Sequence, residues 1–427
     1  MRKKINFKSG TPAEQIKSKR QRLGLTQKQF ADLIGLGPTG ERTVRSWENS
    51  EHSPSIKTLE GLCSIPENAP YKRARGKPRF RFIDLFAGIG GIRLPLQELG
   101  GECVFTSEWD KYSKKTYAAN FGEVPSGDIT VIAANEIPQH DVLLAGFPCQ
   151  AFSQAGLRKG FNDTRGTMFF EVQRILAEHR PAAFLLENVK QLKGHDKGRT
   201  LATIIDILEG NSVAGIPAGI PMSDVARNSL SVRLDYNVSC KVLKATDFGV
   251  PQRRERIYIV GMRRDLFKDA LLSDFFEDLP KSGETQRLGD VLEPNCEVDP
   301  KYTLSDRLWN GHVRRRAEHA ERGNGFGYSL FSHSSDYCNT ISARYYKDGS
   351  EILIDQSDIY KNPRKLTPRE CARIQGFPED FELGAVSDNQ LYRQFGNSVA
   401  VPVIRSIAKR LCDLAGHRLG QSVLSGH

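Results

Sequence analysis

Phe82-Ile83-Asp84-Leu85-Phe86-Ala87-Gly88-Ile89-Gly90-Gly91 decides the fold of this chain, because an apolar run breaks there into a glycine-rich turn. A short apolar run reads as a buried strand. Glycines directly after it let the backbone approach a ligand where a side chain would intervene. The same texture repeats outward from this stretch. Apolar runs recur at 80–86, 103–109, 142–147, 182–187 and 257–262, with helical stretches over 112–120 and 166–178 between them. Such alternation predicts an α/β protein with a doubly wound sheet, whose ligands gather at the strand C-termini.

Three of those ends offer groups for a nucleotide-like ligand. Asp84, Phe86, Ala87, Gly88, Gly90 and Gly91 make the turn itself. Glu108 can accept from ribose hydroxyls while Trp109 covers an adenine, and Asp128, followed by Ile129, can hold the adenine amino group. Dinucleotide binding is the rival reading. The spacing, however, is Gly-x-Gly-Gly rather than Gly-x-Gly-x-x-Gly, and no second nucleotide half is visible.

The run at 142–147 leads into Gly146-Phe147-Pro148-Cys149. A lone cysteine is more often a buried small hydrophobe than a nucleophile. A thiol leaving a strand on a proline-fixed turn is nevertheless placed as a nucleophile would be. Glu187 closes the next run, and Arg254 and Arg256 alternate ahead of the last one, so that both face one side.

Composition bounds the setting. The 427 residues hold material for two or three domains, with 39% hydrophobic and 26% charged residues. No apolar run has the length of a membrane span, and Met1-Arg-Lys-Lys lacks the apolar segment of a secretory signal. The eight cysteines are dispersed without a CxxC, which favours free thiols in a reducing cytoplasm over a disulfide framework or a zinc site. Charge is uneven. Residues 1–81 carry 18 Lys/Arg against 7 Asp/Glu, whereas the remainder carries 43 against 44. On charge alone the N-terminal head reads either as the site of a polyanion partner or as a solvated basic tail.

That head reads as short helices. One covers 13–23, a second opens at the N-cap Thr26 and stops at Gly35 and Gly37, a third covers 42–49 and a fourth 55–63. Two short helices across a glycine-containing turn fit a helix-turn-helix, with Arg42, Thr43, Arg45 and Ser46 offered to a DNA major groove. "LTQKQFADLIG…RTVRSWENS" resembles the lambda-repressor-like helix-turn-helix domains. Residues 66–78, ending in Lys72-Arg73-Ala74-Arg75-Gly76-Lys77-Pro78, read as a basic linker.

Six further stretches, FIDLFAGIGG, GFPCQAFSQAG, LLENV, QRRERIYIVG, LTPRECARIQGFP and YRQFGNSVAVPV, occur in the order found in DNA cytosine-C5 methyltransferases. The resemblance spans residues 79–410. The segments 322–328 and 340–349 are similar to the recognition region of the bacterial Dcm-type enzymes. Ala151 stands where many members carry proline.

The resemblance implies the S-adenosylmethionine-dependent methyltransferase fold, with a mixed sheet. It implies an enzyme, a DNA (cytosine-5-)-methyltransferase, in which the Cys149 thiolate attacks C6 of a cytosine flipped from double-stranded DNA. Glu187 would bind N3 and the exocyclic amine, Arg256 would grip O2, and Arg254 would support the loop and thiolate. Pro148 and Met168 join the cofactor site, which Asn397 and Ser398 close from the return segment. Ser153 and Arg158 on the loop 150–165, together with Thr340, Arg344 and the cluster Arg314-Arg315-Arg316, would contact DNA.

The expected division is a helix-turn-helix domain at 1–65, the linker, a catalytic domain at 79–263 plus 390–427, and a target-recognition domain at 264–389. The expected role is the modification enzyme of a restriction-modification system, monomeric in catalysis and cytoplasmic. Its site would be CC-x-GG-like, with the inner cytosine methylated, and its head would repress its own operon by binding the promoter. A tRNA cytosine-C5 methyltransferase, or a repressor with a vestigial catalytic body, are the alternatives.

Overall fold

The computed structural model describes residues 11–23, 25–33, 36, 39–55, 58–59, 69–72, 77–148, 168–211, 216, 222–268, 272–281, 286–325 and 327–420. The head holds α1 (Pro12–Leu23), α2 (Gln27–Leu33) and α3 (Gly40–Glu48). Thr26 caps α2 as its sequence predicts. Its hydroxyl accepts from Gln29 N at 3.1 Å, and its own N–H donates to the Gln29 side chain at 2.9 Å. Ile16, Leu23, Phe30, Ala31, Val44 and Trp47 close the small core. Gly40 has to be glycine, since a Cβ there would sit 2.7 Å from Leu36 and 2.8 Å from Ala31. Arg20 forks onto Glu48, at 2.5 and 3.0 Å, and ties α1 to α3. The expected stop at Gly35 and Gly37 and most of the helix at 55–63 lie outside the described residues.

The body is built on six strands: β1 (Phe80–Leu85), β2 (Gly101–Ser107), β3 (Val142–Gly146), β4 (Ala183–Val189), β5 (Tyr236–Lys244) and β6 (Glu255–Arg263). Their order in the sheet is β2-β1-β3-β4-β6-β5. The pairs β1–β2, β1–β3 and β3–β4 are parallel, while β6 runs antiparallel to both β4 and β5. The sheet is mixed, as expected. Winding passes from β1 to β2 and then back across β1 to β3. The crevice beyond the β1 and β3 C-termini is therefore the topological switch point.

Alternate residues feed two cores. Phe80, Phe82, Val142, Leu144 and Leu185 face one side; Ile83, Leu85, Leu143, Ala145 and Leu186 face the other. Burial on both sides is why the parallel strands read as unbroken apolar runs. Strand β5 was not among those runs. Its residues are mostly half-exposed on the sheet edge, so its sequence, YNVSCKVLK, carries no such run.

Helices α4 (Arg93–Glu98), α5 (Lys111–Phe121), α6 (Met168–His179), α7 (Arg199–Glu209) and α8 (Asp224–Ser229) flank the sheet. Later elements include α9 (Asp306–Glu321), a two-stranded pair β7 (Leu330–Phe331) with β8 (Leu353–Ile354), then α10 (Pro368–Arg373), α11 (Asp388–Asn397) and α12 (Val401–Ala415). Val403, Ile404, Ile407 and Leu411 of α12 enter the core of Phe80 and Phe82.

Two expected boundaries need correction. Phe267, Leu272, Phe275, Phe276 and Leu279 belong to that same core, so the cut at 264 runs through the body. The linker 66–78 is also partly docked. Tyr71 lies 5.9 Å from Phe121 and 6.2 Å from Phe381, ring to ring, and its N–H donates to Asn120 O at 2.8 Å. Apolar side chains there outweigh the freedom a basic stretch would otherwise keep. Among the described residues no helix is long and apolar enough to cross a membrane.

Candidate active site

The turn after β1 is shaped by its close approaches. Phe86, Gly88 and Gly90 all have positive φ, at 56°, 56° and 87°. A Cβ on Gly90 would lie 2.2 Å from the Phe121 ring, and one on Gly91 would lie 2.9 Å from Ser398 Oγ. A Cβ on Gly88 would meet nothing within 4 Å, so the space above it is open. Gly91 and Ser398, 307 positions apart in sequence, are thus brought into contact.

Below the turn, Asp84 is fully buried and neither carboxylate oxygen has a hydrogen-bond partner. Burial drives its carboxyl up to about 7; nearby Arg93 works against the rise, and Glu108 adds to it. Its register partner Thr106 and the next residue, Ser107, also keep buried hydroxyls without partners. Native proteins seldom leave such groups unpaired, and grouped orphans at an open turn fit a polar, cationic ligand.

Glu108 completes the cup. Its carboxylate accepts from Gly88 N at 2.8 Å and from Asp110 N at 2.7 Å, while burial pushes its carboxyl upward. Trp109 next to it is 70% exposed, an indole face left free for a flat ring. The Glu108 N–H donates to Ser126 O and the Ser126 N–H to Thr106 O, which stitches the 126–129 segment to β2. Asp128 is exposed there and caps a single 3₁₀ turn, with Ile129 buried behind it.

A second group forms at the end of β4. Glu187 is level with Gly146 of β3 and with Tyr258 of β6. Its Oε1 lies 3.1 Å from Arg256 Nε, and both side chains are largely buried. Burial raises the Glu187 carboxyl, against the pull of Arg256 and Arg254. Arg254 is buried and donates to the carbonyls of Ile341, at 3.2 Å, Gly396, at 3.1 Å, and Ser398. Its Nε is without a partner. Burial and the like charge of Arg256 push its guanidinium down to about 9, still cationic at neutral pH.

Pro148 is exposed at the strand end, and Met168 opens α6, half-buried. Cys149, Ser153 and Arg158 lie outside the described residues. Asn188, a residue the sequence reading left without a role, donates to Phe147 O at 2.9 Å and so fixes the approach to Pro148. Asn397 is exposed at the end of α11, and Ser398 follows against Gly91.

The expected DNA contacts divide. Arg42 and Arg45 are exposed on α3, with Arg45 3.0 Å from Glu41, and Thr43 is half-buried. Ser46 is a correction: it faces inward, 9% exposed, so it offers no tip to a groove. Thr340 donates to Arg253 O at 2.6 Å, which joins its segment to the β6 approach, and Arg344 is exposed. In the cluster, Arg315 is engaged by Asp348 and His312 and Arg316 stacks on Tyr328; Arg314 pairs with Glu318 one helical turn away.

The chain matches the family described as C-5 cytosine-specific DNA methylase over residues 80–211 and 225–413, and a helix-turn-helix family over 16–66. It is 52% identical to the Type II methyltransferase M1.ScrFI of Lactococcus lactis subsp. cremoris, across 93% of this chain and 95% of that protein. It is equally similar, 52%, to the Type II methyltransferase M.SsoII of Shigella sonnei, across 93% of this chain and 97% of that one. The crystal structure of S. pombe Dnmt2 methyltransferase shares the fold, with a TM-score of 0.58 at 20% identity over 78% of this chain and 99% of that chain.

Proposed function

The chain belongs to the C-5 cytosine-specific DNA methylase family, and on that premise we propose that it methylates C5 of a flipped cytosine within a specific duplex site as a Type II modification enzyme, with S-adenosylmethionine as donor. The observation that carries the reading is the buried Glu187–Arg256 pair, one strand over from the run that leads to Cys149. Cytosine C5 is a poor nucleophile. Addition of the Cys149 thiolate to C6 turns it into an enamine carbon that can take a methyl group, and loss of the C5 proton and then of the thiol restores the ring. Glu187, whose carboxyl burial holds toward its protonated form, would bond N3 as charge develops there. Arg256 would hold Glu187 and cytosine O2 together, and Arg254 would lock Ile341, Gly396 and Ser398 around them.

When bound, S-adenosylmethionine supplies an electrophilic sulfonium methyl. The orphaned Asp84 carboxylate suits its cationic amino-acid end, Glu108 its ribose, and Trp109 and Asp128 its adenine. The backbone of Phe86 to Gly91, with Ile129, Pro148, Met168, Asn397 and Ser398, would complete the enclosure. The region from 286 to 389 would read bases, and Thr340 and Arg344 would meet the DNA.

Bisulfite sequencing of DNA from a host expressing the chain tests this directly. Methylcytosine at one recurring site is expected, whether or not that site is CC-x-GG-like, and none with Cys149→Ala. Methyl transfer to tRNA but not to duplex DNA would favour the rival substrate. A second reading concerns the head: with Arg42 and Arg45 exposed on α3, it would bind the promoter of its own operon. Footprinting of that promoter, lost on deleting residues 1–65, is the expected result.

A further inference from the structure

We propose that Arg174 is a positioning residue that holds the turn carrying Asp128 where its carboxylate can read the cofactor's adenine. The inference rests on the adenine role given to Asp128 above. Residues 127, 128, 130 and 131 are exposed, so within 127–131 only Ile129 is buried, with half-buried Ile132 just beyond it. Ile129–Val131 is one 3₁₀ turn, and Asp128 caps it by accepting from Thr130 N at 3.0 Å and Thr130 Oγ1 at 2.9 Å. The turn closes itself with a bond between its ends, from Ile132 N to Ile129 O at 3.3 Å, so its carbonyls have room for further donors. Arg174, from the middle of α6, supplies them: its Nη2 donates to Ile129 O at 2.6 Å and to Ile132 O at 2.8 Å.

The guanidinium is itself held, with Nε 2.5 Å from Glu171 Oε2 one turn earlier, and both side chains are almost fully buried. Farther along α6, His179 Nε2 donates to Ala134 O at 2.8 Å. Helix α6 thus grips three carbonyls of the excursion, while Ser126 anchors its start to β2.

Stability alone does not account for the arrangement. Burying an ion pair costs about as much desolvation as the attraction returns, and apolar replacements are often neutral or better. A planar fork instead fixes direction. Lysine, a point charge on a flexible stem, cannot hold two carbonyls and a carboxylate in one geometry.

Calorimetric titration of the full chain with S-adenosylhomocysteine and with its 6-oxo (inosyl) analogue tests the proposal. The wild type should prefer the adenosyl ligand, because Asp128 accepts from an amino group and not from a carbonyl. In Arg174→Lys the adenosyl affinity should fall by about tenfold, with the inosyl affinity little altered, so that the preference collapses. The cofactor KM should rise by more than kcat falls. Glu171→Gln, which keeps the shape and loosens the guanidinium, should lose part of the preference and covers the case of a lysine variant that does not fold. A wild-type adenosyl-to-inosyl ratio in either folded variant overturns the positioning role. A wild type that binds both ligands equally would instead remove Asp128 from the adenine site, and the premise with it.

Discussion

Asp84 and Glu187 stand toward the same end of the sheet, with β3 between their strands, and meet burial in opposite ways. Asp84 is level with Leu144 of β3 and Leu144 with Leu185 of β4, which places it one pleat below Glu187 on the same face. Both carboxyls are driven up by desolvation. Glu187 has Arg256 at 3.1 Å, whereas both Asp84 oxygens lack a partner. A carboxyl balanced between burial and a fixed cation is poised to exchange a proton with a base. One left bare is poised to take a cation that a ligand brings. On the proposed roles, the neighbouring arginines would give the two sites different chemistry, although both groups are carboxylates on one sheet.

The largest effect that would separate them is expected at Glu187. Glu187→Gln keeps the shape and removes the transferable proton. Its kcat on duplex DNA should fall roughly 10²–10⁴-fold, while calorimetric affinity for S-adenosylhomocysteine changes by less than about threefold. An equal loss in both measurements would merge the two sites and end the distinction.

Asp84 should show the reverse pattern, with a pH signature. Its folded pKa of about 7 lies above the unfolded value of 3.8, so ionisation costs the free protein stability. That cost is absent below the unfolded value, grows as pH rises between the two, and is complete above about 7. Asp84→Asn should therefore raise the melting temperature at pH 8, by the equivalent of about 1–3 kcal/mol, and leave it nearly unchanged at pH 4. A cationic ligand favours the ionised form, so its binding at pH 6 should release a proton, measurable in buffers of different ionisation enthalpy. The same variant should bind S-adenosylhomocysteine at least about tenfold more weakly. A wild type whose ligand affinity is flat between pH 5 and 8 would show that Asp84 meets no cation.

The contrast also marks how far the sequence could be read. Asp84, Glu108 and Glu187 lie in or at the end of apolar runs, and a strand C-terminus at a switch point is where ligands sit, so local pattern was enough to propose them. What holds these residues was not local. Arg174 serves carbonyls 42 and 45 positions away, Asn188 serves one 41 positions away, and Arg254 bonds to Gly396, 142 positions on. A buried arginine in such a role carries no periodic signal and looks like any charged helix residue. Strand β5 escaped because an edge strand need not be apolar. Ser46 misled because one side of a short helix must face its own core, and spacing from Arg42 did not show which.

The smallest effect concerns the support under the cup. Phe121 fills the space that a Cβ on Gly90 would need, and the Tyr71 ring lies 5.9 Å from that of Phe121. The Tyr71 carbonyl accepts from Gln97 Nε2 at 2.8 Å, and its hydroxyl donates to Asp380. A stretch that resembles linker therefore braces the Asp84 side of the active site, while Glu187 has no contact with it. Truncation after residue 65 should keep kcat and ligand affinity within about twofold of the full chain. Truncation after residue 76 removes Tyr71 and should lower stability by about 1–3 kcal/mol. It should also weaken S-adenosylhomocysteine binding a few-fold, with kcat at saturating cofactor less affected. Identical ligand affinity in the two truncations would show that the brace does not reach the glycine turn. An equal fall in kcat would show that it reaches past Asp84 to Glu187, which the packing argues against.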